Sequence, residues 1–357
     1  MSGSTPTPET SAPGPHPEPL PGPPSVPPPP HPGARTHPYP YPHPYPVPAQ
    51  AGPFAAPAGS PYAALARNGG QRLRRELGGT ALLLAAVVVG MVALFVLALV
   101  LVTVLGIPAG DADSGAIFVD PAAEVALGLL SLALAIPAVL LVVRRIQRRP
   151  AGTISSVTGR LRLGWLARCA GLALPVLAAD IALLVWLLPV TGGDGPDGPA
   201  DFFDPPAWPA LLLGLAVVWL LVPFQAAAEE YLFRGWILQA FGAHLRSPWA
   251  GIAVGSVLFA LGHGFGQWSG FALLLYSAAW YAWLTLRTGG LEAAIAHHMV
   301  NNLLAFTLDA LAGDLGAEGT AADAPWQALA LELVATPLYC LLVVRLADRR
   351  KIATVSP

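Results

Sequence analysis

Charge is scarce in this chain. Of 357 residues only 11% are Asp, Glu, Lys or Arg, against 54% hydrophobic residues and a mean hydropathy of +0.58. Such a composition belongs to a membrane protein. The formal net charge of -2 selects no class of partner, and no nucleic-acid partner is expected. Cysteine is nearly missing: Cys169 and Cys340 both lie inside apolar runs, which suggests neither a disulfide framework nor a Cys-based zinc site. The chain does not open with a charged region followed by an apolar one, so no secretory signal peptide is expected. An internal repeat, the mark of a transporter built from two halves, is also missing.

Proline, by contrast, is concentrated. Residues 1 to 62 hold 23 of the 39 prolines, including "PGPPSVPPPP" and "HPYPYPHPYPVP". Such a segment cannot bury a core and is expected to be a disordered or polyproline II cytoplasmic tail. Beyond it, apolar runs long enough for a ~30 Å hydrocarbon core recur. They predict eight spans, at about 80–106, 122–143, 164–190, 207–226, 250–264, 270–287, 290–309 and 326–346. The expected fold is therefore an all-α polytopic membrane protein. Its divisions are the tail (1–62), N-terminal transmembrane helices (63–206), a core (207–310), and a last helix with a cytoplasmic C-terminus (311–357). Arginines gather before the first span (Arg67, Arg72, Arg74, Arg75), around the second connection (Arg144 to Arg168), and with Lys351 after the last span. Asp111, Asp113, Asp120, Asp194 to Asp204, and Asp309 to Asp323 occupy the other connections. The positive-inside rule then places both termini in the cytoplasm of a multi-pass cell-membrane protein, with an even number of spans. Residues 227–245 continue the fourth helix or lie at the interface.

Against this background "AAAEEYLFRGW", residues 226–236, stands out. A charge at membrane depth costs at least ~2.5–3.5 kcal/mol. Glu230 and Arg234, spaced i, i+4, can pair on one helix face. Glu229 points about 100° away and is free to meet another segment. Two segments offer partners. "FALGH" ends an apolar run at His263, and "HHMVNN" puts His297, His298, Asn301 and Asn302 inside the seventh span. His298 shares a face with Asn302, and His297 with Asn301.

Taken in order, Glu229-Glu230-x-x-x-Arg234, Phe259-x-x-x-His263 and His298-x-x-x-Asn302 resemble the CAAX prenyl protease and bacteriocin-processing (CPBP, or Abi) family of intramembrane endopeptidases. The resemblance covers about residues 207–310 and implies a protease whose site residues are Glu229, Glu230, Arg234, His263, His298 and Asn302. The doubled histidine leaves the third motif's register open by one residue, and His298 gives Asn302 the family spacing.

Peptide hydrolysis in a membrane needs water, a base and a donor for the developing oxyanion. Glu229 suits the base, oriented and charge-balanced by Glu230 with Arg234. His263 suits a water-holder, and His298 with Asn302 suit the oxyanion donors. No cofactor is required in this scheme. A zinc-dependent version using two histidines and a glutamate is the alternative within the family. A catalytically silent membrane adaptor or immunity-type protein is the alternative from another class, and a small-solute carrier a third. The partners expected are the lipid bilayer and a peptide or membrane-protein substrate, prenylated in one branch of the family. Asp180, Glu292 and Glu332 are read as structural or border residues. Trp165, Trp208 and Trp326 are read as interfacial anchors.

Overall fold

A computed structural model describes residues 54–110, 115–192, 204–317 and 319–357. The Pro-rich stretch to residue 53, Asp111, Asp113, the acidic run 194–201 and Glu318 lie outside the described residues. The regular elements are all helical: α1 (Leu73–Leu105), α2 (Pro121–Ala133), α3 (Ala135–Arg145), α4 (Leu163–Val190), α5 (Trp208–Glu230), α6 (Leu238–His244), α7 (Trp249–Gly262), α8 (Trp268–Thr288), α9 (Glu292–Ala312) and α10 (Trp326–Arg350). A π-helical segment, Tyr231–Ile237, joins α5 to α6 without a break.

Local chemistry sets these limits. The Asp120 side chain accepts from the Ala123 amide at 2.9 Å and Pro121 occupies the first turn of α2, both start signals. Pro137, three residues into α3, lacks the donor that would carry the α2 ladder onward, so the crossing is split at Leu134. Gly106, Gly289 and Gly313 end α1, α8 and α9 with φ of 64°, 68° and 81°, the left-handed conformation that glycine adopts freely.

Contacts between connections sort the helix ends into two groups. At one end Val157 N donates to Gly289 O, Leu291 N to Ser155 O and Ser356 N to Ser60 O, each at 2.9 Å. Arg67 donates to Gly242 O there at 2.6 Å. At the other end Thr320 donates to His263 O at 3.1 Å, Gln327 to Thr191 at 2.8 Å and Gln267 N to Ala322 O at 2.8 Å. The chain thus passes between the two ends eight times among the described residues, as the apolar runs predict. Every described lysine and arginine except Arg234 lies in the loops or terminal two turns at the first end.

Six of these passages are long and apolar enough to span a bilayer: Leu73–Leu105, Pro121–Arg145, Leu163–Val190, Trp208–His244, Trp268–Thr288 and Trp326–Arg350. The chain is therefore a multi-pass membrane protein, with two departures from the expected spans. Trp249–Gly262 has 14 residues, about 21 Å of helix, short of a ~30 Å core. Glu292–Ala312 is long enough at 21 residues, but its two histidines and two asparagines lower its hydropathy. Residues 227–244 continue the fourth helix, giving one rod of 37 residues.

One boundary moves. Residues 54–62, expected within the solvated tail, are folded against the bundle. Tyr62 is fully buried and donates to Ile154 O at 2.5 Å, while Pro61 pairs with Val355. This strip lies so close to α6 that a Cβ on Gly242 would fall 1.9 Å from Ala63 O. Only glycine permits that approach.

Candidate active site

Two connections decide which polar residues can meet. Glu229 stands 15 residues before the end of α6, and His263 stands 14 residues after the start of α7. The turn at 245–248 folds the two helices back on each other, so both residues reach a similar depth. α9 supplies the third wall. Its first turns bury Ala293, Ala294 and Ala296 completely, and these small side chains let α4, α8 and α10 close on the helix. His298 is thereby pressed against α5.

At the centre lies a chain of hydrogen bonds. Glu230 is fully buried and its Oε1 accepts from Arg234 Nη1 and pairs with His298 Nδ1, both at 2.9 Å. The other imidazole nitrogen, His298 Nε2, faces Glu229 Oε2 at 3.7 Å, too far for a direct hydrogen bond. Glu229 Oε1 accepts from Gln225 Nε2 at 2.6 Å, and Gln225 Oε1 accepts from Asn302 Nδ2 at 3.0 Å. Five of the six expected residues thus belong to two hydrogen-bonded groups that face each other across this 3.7 Å gap, drawn from α5, the π segment and α9. Glu229 Oε2, Glu230 Oε2 and Arg234 Nη2 are buried there without a protein hydrogen-bond partner. Buried polar atoms of this kind mark strained or functional positions.

His263 joins through rings. Its Nδ1 bonds to Phe259 O of its own helix at 2.9 Å, which leaves Nε2 for other contacts. Its ring lies 4.7 Å from Phe259, whose ring lies 5.9 Å from His298. Phe259 also carries the Arg234 guanidinium at 4.3 Å from its centroid, a cation–π distance. The second motif therefore contributes its phenylalanine as directly as its histidine.

The two adjacent histidines face different neighbours. His298 meets the carboxylates, whereas His297 turns to Tyr281 Oη at 2.7 Å and packs with its ring tilted against Tyr339 at 4.5 Å. Asn302 departs from its expected task as a direct oxyanion donor, since its amide is engaged by Gln225. Two neighbours were missed. Gln225 sits four residues before Glu229, a spacing that predicts the contact. Tyr281, 5.2 Å from the Arg234 guanidinium, carries no sequence signal beyond its place in an apolar run.

The residues set aside behave as structure. Glu292 pairs with Arg162 at 2.7 Å, and Glu332 accepts from Thr336 at 2.5 Å and also from Ser277. Trp208 and Trp326 are exposed at helix starts, but Trp165 is 3% exposed and packs in the core beside α9. The interfacial reading of Trp165 is thus corrected: its ring fills the α4–α9–α10 junction.

The zinc alternative can be set against the donors present. Catalytic zinc takes three protein ligands. His298 Nδ1 and His263 Nδ1 are engaged, which leaves Nε2 of each as the available nitrogen, but no group of three His, Cys, Asp or Glu among the described residues is arranged to hold a metal ion. The side chains as placed do not form that three-ligand set.

Comparison with known proteins agrees with the motif reading. Residues 208–304 match the family described as type II CAAX prenyl endopeptidase Rce1-like. The chain is also similar to the uncharacterized protein YyaK of Bacillus subtilis (strain 168), with 29% identity over 196 residues, covering 53% of this chain and 62% of the relative. The chain thus spans less than two thirds of the relative's length. No solved structure matches. The resemblance read from the three ordered motifs is borne out, and the matched segment holds all three of them.

Proposed function

We propose that this chain, whose residues 208–304 match the CAAX prenyl endopeptidases, is an intramembrane endopeptidase with Glu229 as its general base. The observation that carries the proposal is the facing of Glu229 Oε2 and His298 Nε2 at 3.7 Å. A water held between them would lie within hydrogen-bonding reach of both. Glu229 would take its proton as the oxygen attacks the scissile carbonyl. Glu230 and Arg234 fix the His298 ring through Nδ1, so that Nε2 is presented to the reacting atoms. Gln225 holds the other oxygen of Glu229 and is itself held by Asn302. His263, at the mouth of the site, is placed to steady the water or the leaving group through Nε2. His298, once protonated at both ring nitrogens, is the nearest donor to a developing oxyanion, with Asn302 acting through Gln225.

The substrate class under this reading is a peptide or membrane protein, the C-terminal tripeptide of a prenylated chain being the first to try. Both termini are assigned to the cytoplasm, because the arginine-rich end carries residues 54–72 and 351–357. The N-terminal helices with the strip that precedes them (54–206), the core (207–310) and the closing helix (311–357) serve as working divisions. A silent adaptor would keep the fold and lack turnover.

The test is cleavage of a fluorescence-quenched peptide ending in farnesyl-cysteine and three further residues by purified protein in detergent. Glu229→Gln preserves size and the Gln225 contact, and should lower kcat by ~10²–10⁴. Turnover near that of the unsubstituted protein would refute the general-base assignment.

A further inference from the structure

Behind the carboxylates lies a second polar pair that the proposed chemistry leaves unused. His297 and Tyr281 are both at least 94% buried, and His297 Nδ1 meets Tyr281 Oη at 2.7 Å. His297 Nε2 has no hydrogen-bond partner. If packing alone explained this pair, two apolar side chains would fill the same space without an unpartnered nitrogen. Tyr281 also does something no aliphatic residue does: with Phe259 it brackets the Arg234 guanidinium, at 5.2 and 4.3 Å from the two ring centroids.

We infer that Tyr281 and His297 are positioning residues that hold the Tyr281 ring against Arg234 and thereby aim the Glu230–His298 pair. The inference rests on the endopeptidase reading above. The linkage runs through named contacts. The His297 bond fixes the Tyr281 hydroxyl and so the direction of the ring axis, which keeps the ring beside the guanidinium. The two rings restrict the guanidinium to an orientation in which Nη1 reaches Glu230 Oε1 at 2.9 Å. The same oxygen holds His298 Nδ1 at 2.9 Å. An arginine freed from one ring would sample other rotamers, and the oxygen it shares with His298 would move with it. A shift of about 1 Å at a reacting group is enough to cost ~10²-fold in rate, so a partial loosening should cost about tenfold.

The doubled histidine of "HHMVNN" then has two separate tasks. His298 faces the reacting atoms, and His297 stiffens the arginine from behind.

The experiment uses the full-length protein in detergent and the double variant Tyr281→Phe/His297→Leu, which removes both polar partners together and leaves no unpaired group. Its melting temperature should match or exceed that of the unsubstituted protein, while kcat on the quenched farnesyl peptide should fall about tenfold with KM unchanged. Selective ¹⁵N-arginine labelling gives a readout that needs no substrate. The two Nη signals of Arg234, assigned by their loss in Arg234→Lys, should be separate in the unsubstituted protein and merge in the double variant as rotation about Nε–Cζ is freed. Unchanged kcat together with unchanged Nη signals would overturn the inference. A peptide left intact by the unsubstituted protein counts against the endopeptidase reading, and the Nη signals then decide the positioning role alone. Should the double variant melt lower, Tyr281→Phe alone carries the test with the same two expectations.

Discussion

Removing the positive charge from the site should unfold the protein more readily than removing both members of its ion pair. Arg234 is 1% exposed and Glu230 0%, and they meet at 2.9 Å. In Arg234→Met a fully buried carboxylate keeps only His298 as a donor to Oε1, and the cation over Phe259 and Tyr281 is lost. Breaking a buried pair from one side costs ~3–5 kcal/mol, because the remaining charge is stranded. Glu230→Gln strands the guanidinium instead and should cost a similar amount. The double variant Glu230→Gln/Arg234→Met leaves a neutral amide that can still accept from His298 beside an apolar chain of similar length. Its cost should be ~1 kcal/mol, since replacing a buried pair by well-packed neutral groups is often close to neutral. The double variant should therefore be more stable than either single one, with a coupling of several kcal/mol. Denaturation of the purified proteins in mixed micelles, followed by far-ultraviolet circular dichroism, measures all four corners of the cycle. Additive losses, or a loss below ~1 kcal/mol for Arg234→Met alone, would show that the pair is solvated and that its role in setting His298 has been misread.

His263→Ala and His298→Ala should each reduce turnover of the quenched peptide by ~10²–10³, as for a lost water-holder or oxyanion donor, whereas His297→Ala should cost far less. The reverse ranking of His297 and His298 would reject the register. If Glu229 activates water unaided, activity should survive prolonged dialysis against a strong chelator. Activity restored by zinc, with one zinc per chain that vanishes in His263→Ala or His298→Ala, would establish a metalloprotease instead. In intact cells a cysteine placed at Ala317 should react with an impermeant maleimide added outside, and ones at Arg160 and Thr354 should not. These are exposed positions. Labelling at Arg160 from outside would invert the assigned orientation.

The eight passages were legible because apolar runs and the arginines between them follow from the bilayer itself. The pairing of Glu230 with Arg234 was legible because helix periodicity fixes it. The choice of His298 over His297 was read only from spacing to Asn302; in the fold it is His298 that lies against the carboxylates. Tyr281 was not: its value lies in a ring facing a guanidinium from another helix, and no local pattern records such a meeting. The placement of residues 54–62 was missed for a related reason. Their composition reads as solvated chain, yet Tyr62 and Pro61 are held by Ile154 and Val355, nearly a hundred and nearly three hundred residues away in sequence. Trp165 carries the same lesson, since a tryptophan near a helix start looks identical whether lipid or α9 covers it.

The π segment has a bearing on how this helix tolerates changes in length. Tyr231–Ile237 closes its ladder with bonds one residue longer than those of the flanking α-helices, so it works as a phase shifter between two halves of one rod. Upstream, the rod turns Glu229 and Glu230 toward α9. Downstream, it turns Gly242 toward the strip at Ala63 and Gln239 toward the loop at Thr153, whose carbonyl accepts from Gln239 at 3.0 Å. Deleting a single residue from the segment would let an unbroken α-helix form with little change of phase, since six α-helical residues turn the rod about as far as seven wider π-helical ones. Gln239 and Gly242 would then keep their contacts, whereas straightening all seven residues into α-helix would swing both by about 100°. The rod can thus lose one residue here and hold its neighbours, a deletion that its α-helical stretches would not absorb.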